Sequence, residues 1–447
     1  MSEKSKKDVK EEEKTRTEAT IYGLLAKLAD ALSKGVVELY NVEIEASELE
    51  IELLIPQAQS ATVSTPTIAI PTVVTPPKAV EEAKPEVQAG YAVAKAVEVV
   101  AKKVVELTRI AFEEPKPQFV GKVVEVKLGA TRSEGGTREV TWIIGGHTMP
   151  PYYYLTGYKP PHLPRFGGDV FDMRIGLPKA VRLAFGDALD NPTEWARIWV
   201  NKYGAEAIDV HLVSTDPTLK DAPPEAAAKT IDAVLQAVKI PVVAGGSGNP
   251  VKDVTVFKRI VESFPSEGLI INSLNLDMKL EEVCPAIAKT NAVVINFSPM
   301  SLDIAEQINR KTYDWIPKNR IILDLNIGGI GYGTEYGFTA MERARLSALQ
   351  GNELLQHPFN VGAANAWGAR EAWITMDPYW GPKEIRGPLW ETLTSIICLL
   401  AGADYFMLVH PLSVKTLKEI REYLFSEPKP KDPEKALEWL SRSLPVM

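Results

Sequence analysis

From Phe119 onward the chain alternates short β-branched apolar runs with longer stretches whose apolar residues recur every three to four positions. The runs Val140–Gly145, Ile208–Val213, Pro241–Ala244, Gly268–Ser273, Ala292–Phe297, Arg320–Leu325, Phe359–Ala363 and Asp404–Val409 predict strands. Nearly continuous apolar character over so few residues is the mark of parallel strands covered on both faces. Between them, helical spacing predicts Thr193–Tyr203, Pro224–Val238, Pro250–Phe264, Leu280–Thr290, Leu302–Arg310, Phe338–Gln350, Pro388–Ala401 and Leu412–Phe425. Eight such repeats within residues 119–425 predict an α/β fold of the (β/α)8 TIM-barrel kind, because a doubly wound sheet usually has fewer strands. No G-x-G-x-x-G follows the first strand to support a dinucleotide fold. The hairpin-like Val120–Val126 would plug or flank the barrel bottom.

The first part of the chain reads differently. Ile21, Leu24, Leu25, Leu28 and Leu32 recur at helical spacing, and residues 36–53 alternate like strands. Between Ile55 and Val87 stand Pro56, Pro66, Pro71, Pro76, Pro77 and Pro85 among Ala, Thr and Val, which suits a semi-rigid linker and no regular element. A further helix is expected over Tyr91–Phe112. The expected organisation is a docking segment at 1–55, a Pro/Ala/Thr-rich linker at 56–90, a connecting helix at 91–118, the barrel at 119–425 and a tail at 426–447.

Composition narrows the chemistry. Across 447 residues there are 50 Lys+Arg against 58 Asp+Glu, a net charge of −8, which argues against nucleic acid as the main partner. Two cysteines, Cys284 and Cys398, leave no room for a self-contained four-cysteine zinc site or a cysteine-ligated iron–sulfur cluster. They likewise exclude a secreted disulfide framework. The N-terminus mixes both charge signs without an apolar core, unlike a secretory signal. The apolar run Ser395–Gly402 is too short to span a bilayer. Cytoplasmic residence is the default expectation.

In a barrel of this kind the chemistry gathers beyond the carboxyl ends of the strands. There the sequence puts Gly145-Gly146-His147, the loop from Gly245 to Pro250, Asn272-Ser273-Leu274-Asn275, Asn296-Phe297-Ser298, Asp324-Leu325-Asn326 with the glycines 328–333, Ala363-Ala364-Asn365-Ala366-Trp367-Gly368, and His410-Pro411. Asp209 and His211 share one face of their strand, since side chains alternate with period two. They could be two ligands of a metal without an evident third, or a buried hydrogen-bonded pair. A strand-end Asn can merely tie a loop. Several together, with glycines, suit a broad, amide-rich ligand held by neutral hydrogen bonds. No Lys lies on a predicted barrel strand for Schiff-base chemistry, no Ser sits in G-x-S-x-G, and neither Cys sits in a nucleophile motif. The expected face is polar but poor in acids, bases and nucleophiles, and no side chain is expected to do acid–base work.

Residues from about Phe119 to Phe425 resemble a known family through DVFDM (169–173), DNPTEWARIWVNKYGAEAIDVHLVSTDP (190–217), VVAGGSGNPVKD (242–253), NIGGIGYGTEYGF (326–338) and HPFNVGAANAWGAREAW (357–373). These strings resemble the delta subunit of the archaeal acetyl-CoA decarbonylase/synthase complex, the small chain of the corrinoid iron–sulfur protein. The first 115 residues carry much less of the likeness. The resemblance implies a barrel paired with a larger gamma chain that holds a 4Fe–4S cluster, and a cobamide between the chains whose cobalt carries a methyl group. That methyl would pass between the acetyl-CoA synthase site and tetrahydromethanopterin or tetrahydrosarcinapterin. On strand position, the cap over the cobamide is expected from His147, Asn272, Asn296, Asp324, Asn326, Gly329, Gly331, Asn365 and Trp367. Two other readings remain. One is a pterin-dependent methyltransferase clamping the ring with Asp209, Asn272, Asn296, Asp324 and Asn326. The other is a phosphosugar-type barrel enzyme, which would need a phosphate cradle near its last two strands.

Overall fold

The computed structural model describes residues 118–325 and 328–426. The expected helices at 21–32 and 91–112, the strands within 36–53 and the linker lie outside these residues, as does Asn326. The first two strands, β1 (Glu125–Leu128) and β2 (Trp142–Gly145), form an antiparallel pair of their own. Eight parallel strands then close a barrel: β3 (Arg165–Phe171), β4 (Ala207–His211), β5 (Val242–Gly245), β6 (Ile270–Leu274), β7 (Val293–Phe297), β8 (Ile321–Asp324), β9 (Phe359–Val361) and β10 (Tyr405–Leu408), with β10 pairing to β3. The helices are α1 (Lys179–Phe185), α2 (Pro192–Asn201), α3 (Pro224–Ala237), α4 (Pro250–Ser263), α5 (Leu280–Ala288), α6 (Leu302–Thr312), α7 (Thr334–Leu349), α8 (Lys383–Leu400) and α9 (Pro411–Phe425).

Burial with period two builds both layers. Outward residues such as Ile208, Val210, Ile271, Val294, Leu323 and Phe406 pack against the helices. Inward residues near the amino ends, among them Ala207, Val243, Ile270, Val293, Ile322 and Tyr405, form a second cluster with Val126, Leu128 and Ile144 of the β1–β2 pair. The pair thus plugs the barrel bottom with its apolar face and leaves Ile143 on the other face exposed.

One expected strand is therefore corrected. Val140–Gly145 is not the first barrel strand but includes the return arm of the plug. The first barrel strand is β3, whose sequence RFGGDVF interrupts the apolar pattern with two glycines. Both are required by close approach. A β-carbon on Gly168 would fall 2.4 Å from the Trp199 ring, and one on Gly167 would fall 2.2 Å from both Asp209 Oδ2 and the Tyr405 hydroxyl. The bulk that a β-branched residue would supply comes from neighbouring elements instead.

The helix starts follow local chemistry. Asn191 and Asn249 cap α2 and α4 by accepting backbone N–H bonds, each followed by a proline at the first helical position. His410 caps α9 through Nδ1, which accepts from the Leu412 N–H at 3.2 Å. In the loop ahead of α4, Asp253 accepts from the backbone N–H groups of Ser247 and Gly248 and from the Ser247 hydroxyl. The Gly-Gly-Ser-Gly-Asn-Pro signature is accordingly a self-closed loop whose polar groups are largely spoken for. Cys284 and Cys398 are buried, and burial pushes both thiols up, Cys284 to about 12, so each acts as a small apolar side chain. Among the described residues no helix is long and apolar enough to cross a membrane.

Candidate functional site

Inward positions at the carboxyl ends of the strands carry a polar ring that hydrophobic pattern alone did not reveal. Register sets Asp169 beside Asp209 and Phe171 beside His211, then His211 beside Gly245 and Gly245 beside Asn272. Further round, Asp324 pairs in register with Asn360. Asn360 Nδ2 donates to Asp324 Oδ2 at 2.7 Å, and both side chains are buried. Asn272 is followed by a cis peptide bond to Ser273 and directs Nδ2 toward Met407 Sδ at 3.8 Å.

Asp169, Asp209, His211 and Tyr405 form the charged part of this ring. The Tyr405 hydroxyl donates to Asp209 Oδ1 at 2.6 Å, while His211 Nε2 lies 3.2 Å from Asp169 Oδ1. Burial, reinforced by the Asp169 carboxylate, pushes the Asp209 carboxyl well above its usual range. Burial works against charge on His211 as well, but the surrounding Asp169, Asp209 and Asp172 outweigh it and raise the imidazole. Asp209 Oδ2, Asp169 Oδ1 and His211 Nε2 are buried without a well-directed hydrogen bond. Asp169 and Asn360 escaped the sequence reading. Asp169 lies in the strand that was missed, and Asn360 is a single polar residue inside an apolar run. Its only sequence signal is that it is the one amide in that short strand. The mouth is thus richer in ionisable groups than expected. Yet among the described residues no three His, Cys, Asp or Glu side chains are arranged to hold a metal ion.

The expected cap residues divide into three groups. Asn272 and Asp324 do face the mouth. Gly329, Gly331, Asn365 and Trp367 stand on the loops after β8 and β9, which meet closely: a β-carbon on Gly329 would lie 2.5 Å from Ala366 Cα. Gly331 has φ of +88° and open space around it. Trp367 is buried with its ring over Gly387 of α8. Beside these loops lies a cavity of roughly 720 Å³ lined by Asp169, Phe171, Lys179, Trp367, Trp373, Lys383 and neighbours.

Two residues leave the site. Asn296 points outward, fully buried, and donates through Nδ2 to Asn309 Oδ1 at 2.7 Å and Thr312 Oγ1 at 2.9 Å, fastening β7 to α6. His147 lies at the opposite end of the barrel because its strand belongs to the plug. There its Nε2 is 2.7 Å from Asp404 Oδ1, just ahead of β10, and burial keeps the imidazole low despite that carboxylate.

Comparison with known proteins places the chain in a family. Residues 125–434 match the family model described as CO dehydrogenase/acetyl-CoA synthase delta subunit. An Archaeoglobus fulgidus protein named acetyl-CoA decarbonylase/synthase complex subunit delta is 44% identical over 322 residues, 70% of this chain and 71% of that one. A Methanosarcina acetivorans subunit delta 2 is 40% identical over 315 residues, 69% of this chain and 72% of that one. Among solved structures, a Xanthomonas albilineans dihydropteroate synthase aligns at a TM-score of 0.39 and 15% identity, covering 60% of this chain and 94% of the other. With an eight-stranded barrel and a family match across nearly all of it, the chain belongs to the CO dehydrogenase/acetyl-CoA synthase delta subunit family.

Proposed function

We propose that this chain is a subunit of an acetyl-CoA decarbonylase/synthase complex and that, with a gamma subunit, it holds the cobamide of a corrinoid iron–sulfur methyl carrier. The observation that carries the reading is the polar ring at the barrel mouth, within a sequence that matches the delta family over residues 125–434. Beside the ionisable Asp169, Asp209 and His211, the ring offers amides (Asn272, Asn360) and a bare glycine edge (Gly245). Such groups fit a macrocycle whose rim carries amide side chains, because neutral donors and acceptors match amides without leaving a charge unpaired. The buried amide oxygen of Asn360, which has no hydrogen-bond partner, supports this fit. When bound, the cobamide supplies the cobalt that carries the methyl group. This chain's residues position the macrocycle and keep water from one face of it.

The test is co-expression with a gamma subunit. The pair is expected to retain stoichiometric cobamide, while this chain alone retains little. Tight stoichiometric uptake by the isolated chain would overturn the shared-site reading. A second reading, direct binding of a methylated pterin, draws support from Asp209, Asn272 and Asp324 sharing the mouth. Calorimetric titration of the chain with the pterin decides it. Heat of binding at low micromolar pterin, lost in Asp324→Ala, would favour the pterin site over the cap.

A further inference from the structure

At the end of β5, Gly245 stands between His211 of β4 and Asn272 of β6. A methyl group built on Gly245 would sit 3.4 Å from His211 Nδ1, 3.7 Å from Asn272 Nδ2 and 3.2 Å from the Val210 carbonyl oxygen. The backbone at Gly245 is not left-handed, so conformation does not demand a glycine. What the missing side chain leaves is a notch one heavy atom deep, flanked by His211 Nδ1 and Asn272 Nδ2, while the Val210 carbonyl faces the Gly245 backbone in the β4–β5 ladder. The approach of His211 is controlled from behind. Its Nε2 is turned to Asp169, and its ring stacks on Phe171 with centroids 4.8 Å apart, which leaves Nδ1 as the ring atom beside the notch. Asn272 Nδ2 has otherwise a long contact to Met407 sulfur.

We propose that this notch receives one carboxamide group of a ligand, its C=O accepting from Asn272 Nδ2 and its N–H donating to His211 Nδ1, which is the acceptor nitrogen when Nε2–H faces Asp169. The ligand class follows from complementarity. A carboxylate brings no donor for His211 Nδ1. An ammonium brings no acceptor for the Asn272 N–H. A carboxamide offers donor and acceptor on adjacent atoms of one plane. The inference rests on the cobamide reading above, since the corrin rim carries such amides. The lactam edge of a pterin presents the same pair of groups.

The variant is Gly245→Ala in the full chain co-expressed with the gamma subunit. It fills the notch with a methyl group while deleting no polar atom. The His211 and Val210 contacts need give by only a few tenths of an ångström. Cobamide affinity of the pair is read by absorbance titration and tetrahydrosarcinapterin affinity by calorimetry. Circular dichroism and gel filtration check that the variant is folded and paired. The expected result is a loss of at least about tenfold in affinity for one of the two ligands. Loss for the cobamide identifies a corrin side-chain amide, and loss for the pterin identifies its lactam. Asn272→Asp, which removes the donor without adding bulk, should weaken the same ligand. A wild-type pair that binds a ligand and a Gly245→Ala pair that binds both ligands equally well would overturn the notch alone. A wild-type pair that takes up neither would overturn the cobamide reading, and the notch with it.

Discussion

Asp404 is the residue whose replacement should test the architecture most sharply. It lies immediately before β10 and is 2% exposed. Its carboxylate accepts from the Gly145 N–H (3.1 Å), His147 Nε2 (2.7 Å), Arg345 Nη2 (3.1 Å) and the Phe359 N–H (2.8 Å). One side chain thereby ties the plug, α7 and β9 to the barrel. Burial opposes its charge, but His147, Arg345 and the Phe359 N–H outweigh that and hold the carboxyl below its usual range. Its contribution is therefore present above the ordinary aspartate pKa and disappears as pH falls through the lower folded value. Asp404→Asn removes the charge while Arg345, fully buried, keeps its own. The new amide nitrogen must also face groups that donate. Breaking a buried pair from one side costs about 3–5 kcal/mol, against a typical domain stability of about 5–15 kcal/mol. In urea unfolding at neutral pH this should lower the midpoint by about 1 M or more. Adding Arg345→Met to Asp404→Asn should recover about 2 kcal/mol by removing the stranded charge. A loss under about 1 kcal/mol, or purely additive single and double variants, would refute this account of how the plug is fastened.

Asn296→Ala should cost about 2–3 kcal/mol of stability through the lost bonds to Asn309 and Thr312, with cobamide uptake unchanged at temperatures where the variant is folded. Reduced uptake with unchanged stability would return Asn296 to the site. His357 is buried, with Nε2 2.6 Å from the Tyr313 hydroxyl and Nδ1 3.1 Å from the Ile321 carbonyl, and burial lowers it to about 3. Wild type should therefore lose stability relative to His357→Gln as pH falls below about 6.5, by about 1.4 kcal/mol per pH unit. Urea titrations of both proteins between pH 7.5 and 5 would contradict this if their gap stayed constant. Deleting residues 1–115 should leave a folded barrel by circular dichroism that still pairs with the gamma subunit but assembles less well into larger complexes. An unfolded product would make the N-terminal region part of the core.

Seven of the eight barrel strands were legible because strands covered on both faces concentrate apolar residues into short runs. The eighth was not, because Gly167 and Gly168 are chosen for what Trp199, Asp209 and Tyr405 need, and those residues lie elsewhere in the chain. Missing β3 shifted the assignment of the first strand and carried His147 to the wrong end of the barrel. It also hid Asp169, although the string DVFDM that contains it was among the recognisable segments. Asn296 shows a second limit. Period two separates Asn296 from Phe297, but in a strand buried on both faces nothing local says which of the two sides is the mouth.

The amino-acid pattern by itself determined the repeat, the absence of cluster-binding cysteines and the family likeness, because these depend on residue type and spacing along the chain. Only the tertiary structure decided which of the alternating side chains point inward, that the β1–β2 pair closes the bottom, and that Asp169, His211, Gly245 and Asn272 adjoin one another. Those outcomes are set by barrel closure and register between strands far apart in sequence, and a one-residue change in either would exchange the mouth for the helix layer.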